Sequence, residues 1–359
     1  MGKLKLEIIW FILNQNSREV NMNNQTTIVT VASYYGSGSS AVTDYVSEFD
    51  NVKSLTSYEF RFIQDPDGVS ELEYNLVENF NRHNSGHALK RYKKLVDYYG
   101  KHLFIKRYEN YFDNKWKEIS YEYIENLTDF KYPGLWQYDF YDNGVWYEFW
   151  HKLPDRLLHK TVWKNKVDKH FFFDKGITYA SHPTEERFLQ CTREYTRKLM
   201  SAANKENCPI MIVDQLLPST NIERHMRYFD NIKAFVVERD PRDIFLLAKY
   251  VWHDLVIPHD VELFCKWFLY TRSARKTEIW NPEKIMLIQF EDLIYKYDET
   301  TAKIREWLGL NEEEHINPFE YLDPNKSINN TRLWKKNSSY IEEATYIKNR
   351  LSEYIYEIN

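Results

Sequence analysis

Short runs of apolar and β-branched residues, each cut off by turn formers, recur at 26–32, 52–58, 209–214, 232–238 and 284–290. Continuous apolar runs of this length predict strands buried on both faces, as in a parallel sheet. Helical periodicity separates them at 40–49, 221–229 and 243–252. Strands alternating with helices predict an α/β fold, with a central parallel sheet of about five strands flanked by helices joined by right-handed crossovers. About 150 residues intervene between the second and third runs. Within them the stretches ELEYNLVENFNRH and ALKRYKKLVDYYG are amphipathic and predict helices. KYPGLWQYDFYDNGVWYEFWHKLPDRLL, dense in Trp, Tyr, Pro and Gly, predicts a loop-and-helix segment that could cap a cleft, and TEERFLQCTREYTRKLMSAAN predicts a long helix packed on the sheet. A terminal helix is expected over 338–358. The organisation expected is an extension over 1–25, then one domain over 26–359 with a helical and aromatic insertion at about 70–205.

Composition narrows the class. A net charge of −5 provides no global basic field, so nucleic acid is not an expected partner. Aromatics reach 17%, which supplies rings for a core or for stacking on sugars and other flat ligands. Cys191, Cys208 and Cys265 are widely spaced and form no ligand pattern, so neither a disulfide framework nor a metal site is expected, and a cytoplasmic setting follows. The apolar run at 8–13 is far shorter than the ~20 residues of a spanning helix. It reads as a short docking helix, with weak contact to a membrane surface left open.

The first strand breaks into SYYGSGSSAV. A strand-loop-helix junction aims backbone N–H groups at one point and favours anions. Gly36 and Gly38 allow positive φ, and Ser37, Ser39 and Ser40 offer hydroxyls. Gly36-x-Gly38-x-x-Ala41 fits a loose dinucleotide fingerprint, and Glu59, 23 residues after Gly36, stands where a ribose-binding acid would. No Gly-Lys-Ser/Thr follows, which excludes a Walker A loop. Further on, VVERDPRD ends a strand at Glu238 and starts a helix, with Asp240 as N-cap and Pro241 at the first helical position. Arg239 is thereby set beside a helix start, where its fork suits phosphate. In IQFEDL, Glu291 and Asp292 read as helix-capping acids.

Taken in order, SYYGSGSS, DQLLP, VVERDPRD and IQFEDL with its following WLGL resemble the motifs of the sulfotransferase superfamily, whose donor is PAPS (3′-phosphoadenosine 5′-phosphosulfate). The resemblance implies a P-loop NTPase-like sulfotransferase fold. Tyr35, Gly36, Ser37, Gly38, Ser39 and Ser40 would hold the 5′-phosphosulfate, and Arg239 the 3′-phosphate. YEFRFI resembles the Asn-Glu-Val-His-Phe-Phe segment of glycan-modifying members, which makes Glu59 the expected base for an acceptor hydroxyl or amine, with Arg61 assisting. It tilts the acceptor toward a saccharide.

Two positions depart from the family pattern. The family's loop lysine corresponds to Gly36, with Arg61, Lys106, Arg107 and Arg332 as candidate replacements. The family's 3′-phosphate serine corresponds to Leu247. Arg332, in NKSINNTRLWKKN with Lys326, Lys335 and Lys336, stands where family members often close the pocket with a basic loop. His253 is a reserve base, while His259, His87 and His102 read as non-catalytic. The alternatives are an NAD(P)-dependent oxidoreductase and a non-catalytic nucleotide-binding protein.

Overall fold

The computed structural model describes residues 26–357, apart from 103–104, 165 and 172–175. The extension over 1–25 and its apolar run lie outside the described residues. Two compact units are present. One comprises the described residues up to Gln64 together with those from Met200 onward, and the other is Asp65–Leu199.

The first unit holds the main sheet. Its strands are β1 (Thr27–Val31), β2 (Val52–Leu55), β3 (Ile210–Val213), β4 (Ile232–Glu238) and β5 (Ile285–Gln289). All pairings are parallel, in the order β2-β3-β1-β4-β5. Each strand lies within its apolar run because burial on both faces selects β-branched residues. The sheet order itself is informative. A dinucleotide fold runs 3-2-1-4-5-6, with the second strand beside the first. Here β3 lies between β1 and β2, so the glycine loop after β1 belongs to a different winding.

One sheet face is sealed by a core of Val29, Val31, Tyr45, Val46, Ile212, Phe235, Val237 and Leu293. A second core joins the helix Pro241–Leu247 to Val261–Thr271 and Ile341–Arg350 through Ile244, Phe245, Ile257, Phe264, Phe268 and Ile347. The expected terminal helix is shorter than its pattern. It spans Ile341–Arg350, between single 3₁₀ turns at Ser338–Tyr340 and Ser352–Tyr354.

The second unit is mainly helical, with helices Arg82–Gly100, Trp116–Leu127, Tyr138–Lys160 and most of Glu185–Ala203. The predicted loop-rich aromatic stretch contains a strand, Phe130–Pro133, paired with Ile177–Ala180, and then the long Tyr138–Lys160 helix. Its turn formers act differently, since Gly144 kinks this segment into two helical pieces while Pro154 is accommodated within the second. Gly144 makes a break at φ 81°, ψ 179°, and Pro154 sits within the helix. Among the described residues no helix is long and apolar enough to cross a membrane. The three cysteines are unpaired.

Candidate nucleotide site

In open α/β sheets, ligands bind outside the carboxyl ends of the strands where successive connections leave in opposite directions. The connection after β1 leads toward β2, and the one after β4 leads toward β5, so the crevice opens between β1 and β4. The two strand ends are tied together. Ala32 N–H donates to the Phe235 carbonyl at 2.8 Å, and Val237 N–H donates to Ser33 Oγ at 3.0 Å. The loop 33–39 leaves directly from this tie.

The loop is built around its glycines. Gly36 has φ +75° and Gly38 φ +81°, a region costly for other residues. At Gly38 a Cβ would also stand 2.6 Å from the Phe290 ring. Ser37 is buried at 1% exposure, and among the described residues its hydroxyl has no hydrogen-bond partner. Ser39 does not cap the helix Ser40–Val46, so its hydroxyl is not committed there. Tyr35 stands half exposed.

Arg239 leaves the end of β4 and runs beneath this loop at 3% exposure. Its Nη1 reaches the Gly36 carbonyl at 3.5 Å, and its Nη2 donates to the Asn330 carbonyl at 2.5 Å. The guanidinium lies 4.2 Å over the Phe290 ring. Its Nε is buried without a partner. Burial pushes the guanidinium pKa down from its usual value, against the pull of Asp243, Glu291 and Asp240.

These acids are structural. Asp240 caps its helix by accepting Arg242 N–H at 2.9 Å and is gripped by the Arg242 fork. Glu291 accepts the N–H of Asp240 at 2.9 Å and an N–H of Gln289 at 2.7 Å. Asp243 accepts the backbone N–H groups of Arg332 and Leu333, both at 2.9 Å. The C-terminal segment is thus pinned over the site: Asn330 by Arg239, Thr331 by the Tyr295 hydroxyl at 2.6 Å, and Arg332 by Asp243. Arg332 adopts φ +53°, and its guanidinium stands 4.8 Å from the Tyr295 ring centre. The loop, Arg239 and Arg332 are therefore brought together by contacts linking positions some 90 to 200 residues apart.

Solved structures similar to the chain are sulfotransferases. The sulfotransferase domain of the Synechococcus PCC 7002 olefin synthase is 13% identical, with 93% of this chain and 96% of that one covered, at a TM-score of 0.38. Sulfotransferase STF1 from Mycobacterium tuberculosis H37Rv is 12% identical over 89% and 80%, at 0.34. STF9 from Mycobacterium avium is 10% identical over 90% and 73%, at 0.35. No family model and no curated protein matches the chain.

Glu59 follows β2 by four residues and is exposed, with Arg61 Nη1 3.7 Å from its Oε2. Close to them in charge is Asp214, which the sequence showed only as the first residue of DQLLP, with no chemical role. It is the last residue of the 209–214 run, at the carboxyl end of β3, and its Oδ1 is buried without a partner. Burial first, then the charges of Glu59 and Asp44, raise its pKa from 3.8 to about 7. Burial and Glu48 raise Asp44 to about 6.

A carboxyl whose folded pKa exceeds its unfolded value favours the protonated fold. Its stabilisation is full below the unfolded pKa and is lost as pH rises through the folded one. For Asp214 that window runs from 3.8 to about 7. Asp214→Asn is therefore expected to gain stability relative to the parent as pH rises through this window, by on the order of 4 kcal/mol between pH 4 and pH 8. Urea melts at pH 4 and pH 8 check this, and an equal effect at both would exclude it.

The space immediately around Gly36 is apolar. A Cβ on Gly36 would meet Ile244 Cγ2 and Ile257 Cδ1 at 3.1 Å and Trp252 Cζ3 at 3.6 Å. Trp252 is placed there by a π-helical turn, Ala248–Trp252, that ends in His253 at φ +51°. Of the candidate replacement cations, Arg61 pairs with Glu59. Lys106 and Arg107 belong to the second unit, where they engage Asn114 and the Tyr98 ring. Lys326 pairs with Asp323, and Lys336 donates to the Asn329 carbonyl. His253 is exposed, and His259 bonds the Asp254 carbonyl at 2.6 Å. Leu247 is buried at 1% exposure.

Proposed function

We propose that the chain binds PAPS and transfers its sulfuryl group to an acceptor hydroxyl or amine. The observation that carries this is a pair of buried polar atoms, the Ser37 hydroxyl and Arg239 Nε. Among the described residues neither has a hydrogen-bond partner; Ser37 follows Gly36 in the loop and Arg239 reaches the Gly36 carbonyl, at the switch point of the sheet. Buried polar groups are normally satisfied, so orphans on one loop point to a ligand that supplies acceptors. Phosphate oxygens are such acceptors, and Arg239 is the charged member of the pair.

In the reaction, the acceptor oxygen or nitrogen forms a bond to sulfur while the bond from sulfur to the phosphate oxygen breaks. The acceptor's proton goes to a carboxylate, and PAP departs. Glu59 is our base, with Arg61 beside it as the assisting cation. Asp214 supports a second reading for the same role, because its pKa of about 7 lies near working pH, where general bases are most effective. Glu59→Gln and Asp214→Asn, assayed for transfer of labelled sulfate from pH 5 to 9, separate the two. The true base loses the acidic limb of its rate profile.

Binding is tested by calorimetry with PAP and with NADPH. PAP is expected to bind and NADPH is not, and absence of PAP binding at millimolar concentration overturns the reading. Ser37→Ala is a sharper test. Deleting a buried hydroxyl that lacks a partner leaves stability unchanged or slightly raised, whereas it removes one hydrogen bond to a charged group, about 1.5–3 kcal/mol. The expectation is a PAP affinity about 10- to 100-fold weaker with an unchanged melting temperature. A site that holds no anion would show no loss of PAP affinity in Ser37→Ala.

A further inference from the structure

We infer that the second unit carries a separate binding site for a primary ammonium group on a polar or ring-bearing body, formed by the cavity beside the helix Arg82–Gly100. The inference stands independently of the nucleotide reading.

The cavity has a volume of about 420 Å³, within the range of small-molecule sites. Three backbone and charge features converge on it. Asp67 holds φ +64°, an uncommon conformation for a non-glycine residue and one that clusters at ligand sites. The α-helical turn Val69–Glu73 widens into a π-helical turn, Tyr74–Glu78, another recurrent mark of functional positions. Leu72 and Asn75, on either side of that change, both line the cavity. The third feature is a fixed ionic wall. The Asp142 side chain is 3% exposed, with Lys94 at 3.1 Å, Arg91 at 3.4 Å and His87 at 3.7 Å. Arg91 turns its Nε and Nη2 onto Asp67 at 2.6–3.1 Å. Trp136 Nε1–H donates to His87 Nδ1 at 3.1 Å, which puts the ring's proton on Nε2, toward Asp142.

What the wall leaves over sets the ligand. Among the ionised lining groups, Asp67, Glu71 and Asp142 are anionic and Arg91 is cationic. Asp67 and Asp142 are matched by Arg91 and Lys94. Glu71 meets a neutral donor, the Asp67 N–H at 3.0 Å, and keeps its charge for the cavity. The two lining amides spend their NH₂ groups on backbone carbonyls, Asn75 on Glu71 at 2.9 Å and Asn84 on Asn79 at 3.2 Å. Each is left to offer its side-chain oxygen. A carboxylate with two amide oxygens accepts hydrogen bonds and rejects anions, and an ammonium supplies three donors and a positive charge. The His83 and Tyr138 rings, 5.7 Å apart, add faces that attract a cation or pack on a sugar ring.

The test is calorimetry on the full chain with glucosamine and spermidine, with N-acetylglucosamine and glucuronate as controls. Both amines are expected to bind below about 1 mM, and the two controls at least tenfold more weakly. Glu71 is exposed, so Glu71→Gln is expected to keep its melting temperature and to lose amine binding tenfold or more. Glu186→Gln removes the same charge elsewhere on this unit and is expected to bind like the parent. The inference is overturned if neither amine binds, if the acetylated sugar or glucuronate binds as well, or if the two variants behave alike.

Discussion

Arg239→Ala is expected to weaken PAP binding by more than 100-fold and to cost about 3 kcal/mol of stability, the scale seen when one member of a buried charged network is removed. Two effects add. The guanidinium joins the Gly36 carbonyl to the Asn330 carbonyl and so holds the glycine loop and the C-terminal segment in register. Its removal also leaves Asp240, Asp243 and Glu291 without the buried cation that they surround. Arg239→Lys separates these roles. A lysine restores the charge but cannot span two carbonyls with a planar fork, so it is expected to recover part of the stability and to remain at least tenfold weaker for PAP. Calorimetry and thermal melts on both variants check this. Unchanged PAP affinity in Arg239→Ala would show that the anion sits elsewhere.

How much of this was legible before the fold was known depended on the range of the interaction. The strand runs were readable because burial on both faces leaves a local mark, and 232–238 appears as the strand Ile232–Glu238. The Asp240 cap and Pro241 helix start were readable for the same reason, since their partners lie within a turn. Strand order was not, because placing β3 between β1 and β2 depends on pairings between residues about 150 to 190 positions apart. Asp214 opens the DQLLP motif, but nothing in that motif assigns it chemistry; a single acid at the end of an apolar run looks like an ordinary strand stop until Glu59 and Asp44 come near it. The position of Arg239 at a strand end beside a helix start was legible. Its two carbonyl contacts, one to a segment 91 residues further on, were not.

The largest departure from the resemblance is Gly36, and the structure turns that gap into a prediction. Gly36→Lys is expected to destabilise the chain by about 2–4 kcal/mol and to weaken PAP binding rather than to restore a missing function. Two costs combine. A non-glycine residue at φ +75° costs about 1–3 kcal/mol. The new Cβ, at 3.1 Å from both Ile244 and Ile257, must push into a packed core, which adds about 1–3 kcal/mol when little can yield. Gly36→Ala carries the backbone cost and the same Cβ contact without a charge, so it is expected to lose less. Ile257→Ala in the Gly36→Lys background removes one of the two contacts, and partial recovery of the melting temperature would locate the strain there. A Gly36→Lys protein as stable as the parent and faster in sulfate transfer would mean that the loop is a degraded lysine site. The expected result means instead that this turn is built around glycine, with Ile244, Ile257 and Trp252 packed where a Cβ would stand and the buried Arg239 fork placing positive charge at the Gly36 carbonyl.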